Sequence, residues 1–175
     1  MSAQMVMTSR AAFTMTVENA ANTFTAGTVD LVDDDLGGTL FNVPAMAPGQ
    51  TITNCIVVTY NGSLDPNPVV MYSGGFVDSG NFGDYLTLTV DEGTGGTFGD
   101  CTGFTEDDVG AEFSDTMTQF DALHTNYSNG FGEWDPTGTG QSKTYQLTVQ
   151  LAPTTPDVEQ GESVTTLSFT WEVQS

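Results

Sequence analysis

Apolar and polar residues alternate with a period of two through the first seventeen positions, blurred only by Val6, Ala12 and the small polar Ser9. Met1, Ala3, Met5, Met7, Ala11, Phe13, Met15 and Val17 fall on one parity, and Ser2, Gln4, Thr8, Arg10, Thr14 and Thr16 on the other. No Gly or Pro interrupts the run. Alternation of this kind predicts an extended strand with one apolar face, not a helix. At about 3.3 Å per residue the segment would reach roughly 55 Å, whereas a compact domain of this length is only about 40 Å across. A strand of that length does not fit inside its own domain. Its apolar face therefore calls for a partner, and a second copy of the same chain is the simplest one. The expected division is a donor-strand segment over residues 1–20 and a β-sandwich domain over residues 21–175.

Beyond the tail, turn signals separate short runs rich in Val, Thr, Phe and Tyr. Strands are expected at Thr23 to Val32, Thr39 to Val43, Gln50 to Tyr60, Val69 to Phe76, Tyr85 to Asp91, Lys143 to Leu151 and Val164 to Val173. Tyr145, Leu147, Val149 and Leu151 alternate with polar neighbours, as do Leu167, Phe169, Trp171 and Val173, so one face of each strand should be buried. One helix is expected from Ser114 to His124, where Phe113, Met117, Phe120 and Leu123 recur at spacings of three and four and Ser114 can cap the first turn. The Gly- and Asp-rich stretches Asp33 to Gly38, Asp91 to Gly99 and Glu133 to Gly140 read as loops. The pattern is that of an all-β antiparallel sandwich with one short helix.

Charge narrows the possible partners. The chain has 175 residues, with 23 acidic side chains against two basic ones, Arg10 and Lys143, for a formal net charge of -21. Nucleic-acid backbones and anionic lipid surfaces are repelled at ordinary salt. No run of about twenty apolar residues is present to span a membrane. Metal cations or high salt would relieve the mutual repulsion of the carboxylates. Asp33, Asp34 and Asp35 concentrate hard oxygen ligands in one turn, which makes them the candidate calcium site, although they lack the alternating ligands of an EF-hand loop. No cofactor is otherwise required.

Cys55 lies in a strand-like run and Cys101 in a turn-rich one. In an oxidising compartment they would form one disulfide; in a reducing one they would pack as two small buried thiols. Catalytic chemistry is poorly represented. A zinc site of the HExxH kind needs two histidines one helical turn apart, and His124 is the only histidine. No nucleophile elbow, phosphate-binding loop or dinucleotide fingerprint occurs. Loop aromatics Trp134, Tyr127 and Tyr72 leave a second function open, a surface-displayed module that stacks glycans on exposed rings.

A set of motifs adds a family to this reading. Asn22-Thr-Phe-Thr-Ala-Gly-Thr-Val-Asp-Leu31, Phe41-Asn-Val43, Met46-Ala-Pro-Gly49 and Val57-Val-Thr-Tyr-Asn-Gly-Ser-Leu64 precede Tyr85-Leu-Thr-Leu-Thr-Val90, Asp100-Cys-Thr-Gly-Phe104 and Phe169-Thr-Trp-Glu-Val-Gln174. In this order and spacing they resemble the TasA/camelysin family of secreted bacterial and archaeal surface proteins. The resemblance implies a jelly-roll fold, an extracellular location at the cell surface or in a biofilm matrix, and assembly into matrix fibres or bundled pili. Assembly in that family is by donor-strand complementation, which here would make Met5, Met7, Phe13, Met15 and Val17 the inserted side chains of a head-to-tail homopolymer. Residues 1 to 10 extend beyond the family's usual mature N-terminus. Camelysins carry a metallopeptidase label, but this chain has no zinc-ligand motif onto which that activity could be carried, so a non-enzymatic role is expected.

Overall fold

The computed structural model describes residues 26–175. The donor-strand residues Met5, Met7, Phe13, Met15 and Val17 lie outside the described residues.

Among the described residues ten strands are formed: β1 (Leu31–Asp33), β2 (Thr51–Tyr60), β3 (Val70–Ser73), β4 (Val77–Asp78), β5 (Leu86–Thr94), β6 (Thr105–Glu106), β7 (Phe113–Thr116), β8 (Gln141–Leu151), β9 (Val164–Thr165) and β10 (Phe169–Glu172). One short helix, α1 (Met117–Leu123), follows β7 directly. The larger sheet runs β1-β2-β8-β5-β6, with β7 also paired to β5, and every pairing is antiparallel. Two small two-stranded sheets, β10-β3 and β4-β9, complete the layered arrangement.

Alternation along the long strands builds the core. Ile56, Val58 and Tyr60 of β2, Leu86, Leu88 and Val90 of β5, and Tyr145, Leu147, Val149 and Leu151 of β8 are all buried on one face. Val69, Met71, Phe113, Met117, Phe120 and Trp134 join the same cluster. The fold is all-β, as the period-two pattern predicts, and the expected alternation of β8 matches its burial residue by residue.

Five sequence expectations are corrected. The helix begins at Met117 and not at Ser114, because Phe113–Thr116 instead pairs with Val90 to Thr87 along the edge of β5. Thr116 is the cap, accepting a hydrogen bond from the Gln119 N–H at 3.2 Å. The spacing of Phe113, Met117 and Phe120 serves both conformations, and the unpaired edge of β5 decides between them. Leu123, expected on the buried face, is exposed. The run from Val164 to Val173 is split at Thr166, whose φ of 56° turns the chain so that β9 pairs with β4 and β10 with β3. Strand β5 continues to Thr94, into the stretch Asp91 to Gly99 expected as loop. Thr39 to Val43 forms no strand.

One core position on β5 is charged. Glu92 continues the inward-facing set after Val90 and stands directly opposite Tyr145 on β8. It is buried, and its Oε1 has no hydrogen-bond partner among the described residues. Burial first, and the nearby Glu112 carboxylate second, push its pKa up from 4.5 to about 7. The folded state thus binds a proton that the unfolded chain releases at lower pH. The associated stability is present below pH 4.5 and is lost as pH rises through about 7, a change of roughly 3 kcal/mol. Glu92→Gln keeps the shape without the charge. In urea unfolding at pH 5 and pH 8 the wild type should lose much of its stability at the higher pH, and the variant should lose markedly less. Equal losses in the two proteins would show that Glu92 does not control the slope.

Candidate functional site

The two faces of the sandwich do not close on each other along one side. Strand β1 covers only Val58 to Tyr60 of β2. Beyond it, the backbone groups of Thr51 and Thr53 point away from β8, and no described backbone group takes them up. Across the opening, β10 is paired to β3 on one side, and no described strand lies along its other edge. Unpaired edges of this kind are templates for another strand.

Between these edges lies a groove of about 710 Å³. Ile52, Ile56, Leu86 and Val149 form its floor on the larger sheet, and Leu167, Phe169 and Trp171 form the facing wall. The segment from Thr39 to Met46 flanks it, contributing Leu40, Phe41, Val43 and Met46. These wall residues pack on the core while keeping part of their surface accessible. A smaller recess lined by Leu31, Val32, Val58, Phe169 and Trp171 continues the opening between β1 and β10. Three carboxylates, Asp33, Asp35 and Glu162, line the groove beside its apolar residues, as do the hydroxyls of Thr39, Ser163, Thr165, Thr166 and Ser168.

Cys55 and Cys101 are disulfide-bonded, with Cα atoms 5.1 Å apart. Cys55 points to the face of β2 opposite the core, so the bond holds the loop after β5 against the outside of the larger sheet. The loop then wraps around the edge of β2, where the Gly99 N–H donates to the Cys55 carbonyl at 2.8 Å. Phe98, beside it, reaches the groove.

The three aspartates expected as a calcium site have separate local roles. Asp34 links three segments: Oδ1 accepts from the Val57 N–H at 2.8 Å and Oδ2 from the Phe98 N–H at 2.7 Å. Asp33 Oδ1 accepts from the Asp35 N–H at 3.2 Å, and Asp35 Oδ1 from the Gly37 N–H at 2.6 Å. Burial, then the Asp35 and Asp34 carboxylates, raise the pKa of Asp33. Among the described residues no group of three or more His, Cys, Asp or Glu is placed to hold a metal ion.

His124 ends α1, donating its N–H to the Phe120 carbonyl at 3.0 Å, with Nδ1 2.6 Å from the Asn129 carbonyl oxygen. Its ring packs among Phe113, Phe120 and Phe131. Asp121, one helical turn before His124, instead accepts from Ser73 Oγ at 2.7 Å. This donor set does not fit a catalytic zinc. The glycan-stacking rings fare differently from expectation as well. Trp134 is buried and not exposed, because its strand-like approach to β3 brings its carbonyl to the Val69 N–H. Tyr72 and Tyr127 are half-buried, their hydroxyls donating to Glu172 and to the Pro68 carbonyl.

An acidic, disulfide-bonded, all-β antiparallel sandwich with an apolar groove left open between its sheets is the class of protein defined here. Residues 1–85 match the family described as camelysin metallo-endopeptidase, in agreement with the TasA/camelysin resemblance of the sequence motifs. No curated protein matches the chain. The matched segment includes β1, β2 and the Thr39 to Met46 wall of the groove, together with the alternating tail. No helix among the described residues is long and apolar enough to cross a membrane.

The groove walls were not identified from sequence. Leu40, Ile52, Val149 and Phe169 come from four separate stretches, and no local pattern marks them as sharing a cleft. Glu92 left no signal either, since a carboxylate at the end of a strand usually faces water.

Proposed function

We propose that this protein is the structural subunit of an extracellular filament, a biofilm matrix fibre or pilus, and not a peptidase. In this reading residues 1–20 of one copy insert as an extended strand into the groove of the next. The observation that carries it is the pairing of an open apolar cleft, flanked by unpaired strand edges, with an alternating apolar segment too long for its own domain.

Met5, Met7, Phe13, Met15 and Val17 supply the buried face. At roughly 2 kcal/mol for each large apolar side chain their burial contributes on the order of 10 kcal/mol. Lost association entropy and ordering of the segment offset several kcal/mol of this. A ladder of main-chain hydrogen bonds along β10 or the free end of β2 adds to what is left. Unbranched Met side chains suit a groove of irregular section. Because segment and groove are different surfaces of one molecule, the contact is heterologous and propagates into an open filament, with no ring closure required.

Negative-stain electron microscopy of the purified full-length chain tests this directly. Filaments of uniform width are expected. A monodisperse monomer at concentrations well above micromolar would overturn the proposal.

A further inference from the structure

We propose that Arg10 of an incoming segment pairs with the acidic rim of the groove, formed by Asp33, Asp35 and Glu162 of the accepting copy, and that this pairing sets the register in which the segment seats. The inference rests on the filament reading and adds to it the contact that selects one alignment.

Hydrophobic alternation alone specifies register weakly in this tail. A slide of one residue turns the apolar face outward, but a slide of two restores its parity: Met5 takes the place of Met7 and Phe13 that of Met15, while Ala11 falls where Phe13 was and Ser9 where Ala11 was, so only side-chain size then tells the two alignments apart. A single charge breaks that degeneracy if the groove carries its complement, much as one polar residue fixes alignment in a coiled coil.

The distribution of charge supplies such a complement. All 23 acidic residues lie beyond position 17, and the segment before them carries Arg10 as its only charged side chain. The chain's other cation, Lys143, forms an ion pair with Asp107 on the far side of the larger sheet's β8 strand from β2. Arg10 falls on the polar parity, so in a strand whose apolar face enters the groove it points to the rim. There Asp33 and Asp35 each accept one backbone N–H in a local turn, and their two carboxylates lie close enough to repel each other. Glu162 makes no side-chain hydrogen bond among the described residues, and it lines the groove from the opposite wall. Burial and mutual repulsion already raise the pKa of Asp33, and an approaching cation would relieve both effects. A guanidinium also suits this rim better than an ammonium, because its planar fork can engage a carboxylate through two parallel hydrogen bonds.

The test compares full-length wild type, Arg10→Glu, Asp35→Arg, Glu162→Arg and the doubles joining Arg10→Glu to each rim reversal, by the critical concentration for assembly at low and high salt. Arg10→Glu should raise the critical concentration on the order of tenfold at low salt. At least one double should recover most of that loss, and high salt should narrow the differences. Filaments of Arg10→Glu with wild-type critical concentration and wild-type subunit spacing would overturn the register role while leaving the filament reading intact. A defect that no rim reversal restores would also overturn it, since Arg10 would then act elsewhere. If the wild type stays monomeric while charge reversal and rescue are seen in its thermal stability, the segment occupies its own groove, and both this inference and the filament reading fail.

Discussion

A chain shortened to residues 19–175 is expected to form no filaments under conditions in which the full-length protein does. The buried core lies between Ile56 and Leu151, so the shortened domain should still fold. Its net charge, still -21 because Arg10 and Glu18 leave together, should keep it soluble and monomeric despite the open groove. A synthetic peptide of residues 1–18 should then bind this domain one to one and cap it. Trp171 lines the groove, so its fluorescence should report the insertion, whereas Trp134 is already buried and should respond little. Fibres built by the shortened chain would rule out the tail as the connecting element. A peptide that binds no better than a scrambled sequence of the same composition would separate groove filling from general stickiness, because scrambling destroys the period of two and keeps the hydrophobicity.

Loss of the disulfide should have the second largest effect. Cys55 and Cys101 are separated by 46 residues, and closing a loop of that size removes unfolded-state entropy equivalent to about 4 kcal/mol in the chain-entropy description. For a domain of this size, that corresponds to a fall in Tm of roughly 10 to 15 °C in a Cys55→Ala, Cys101→Ala double variant. The effect should also reach the groove. The bond anchors the loop that brings Phe98 to the groove, and the Phe98 N–H is one of the two donors on the Asp34 carboxylate. Releasing the loop therefore loosens the link from β1 through Asp34 to Val57, next to the free end of β2. Thermal unfolding with and without reductant measures the first effect, and uptake of the tail peptide by oxidised and reduced protein measures the second. A Tm that is insensitive to reductant would mean that the 46-residue loop is already constrained by its packing.

The strands that read most clearly in sequence are those whose two faces meet different surroundings. From Tyr145 to Leu151 in β8 the inward residues are apolar and their neighbours polar, so local pattern and final environment agree. In β2 the agreement is less complete, since Cys55 faces away from the core yet is buried beneath the loop that the disulfide holds. Where an element depends on what lies beside it, sequence alone misleads. Phe113–Thr116 has a helical spacing but becomes a strand because β5 offers an edge, and Val164 to Val173 has a strand pattern but breaks at Thr166 to serve two different partners. For the aspartates at 33 to 35 the structure adds contacts that the sequence does not show. The fold engages Asp34 with two backbone N–H groups from distant segments, which their clustering in sequence does not reveal.

From the order of residues alone come the all-β class, the pairing partner available to Cys55, the strong negative charge and the alternating tail, because each depends on composition or on periodicity over neighbouring positions. The groove, its acidic rim and the buried Glu92 were decided only in three dimensions. Each requires side chains from strands far apart in sequence to share one space, and the sheet order that brings them together is set by long-range pairing that no local pattern encodes.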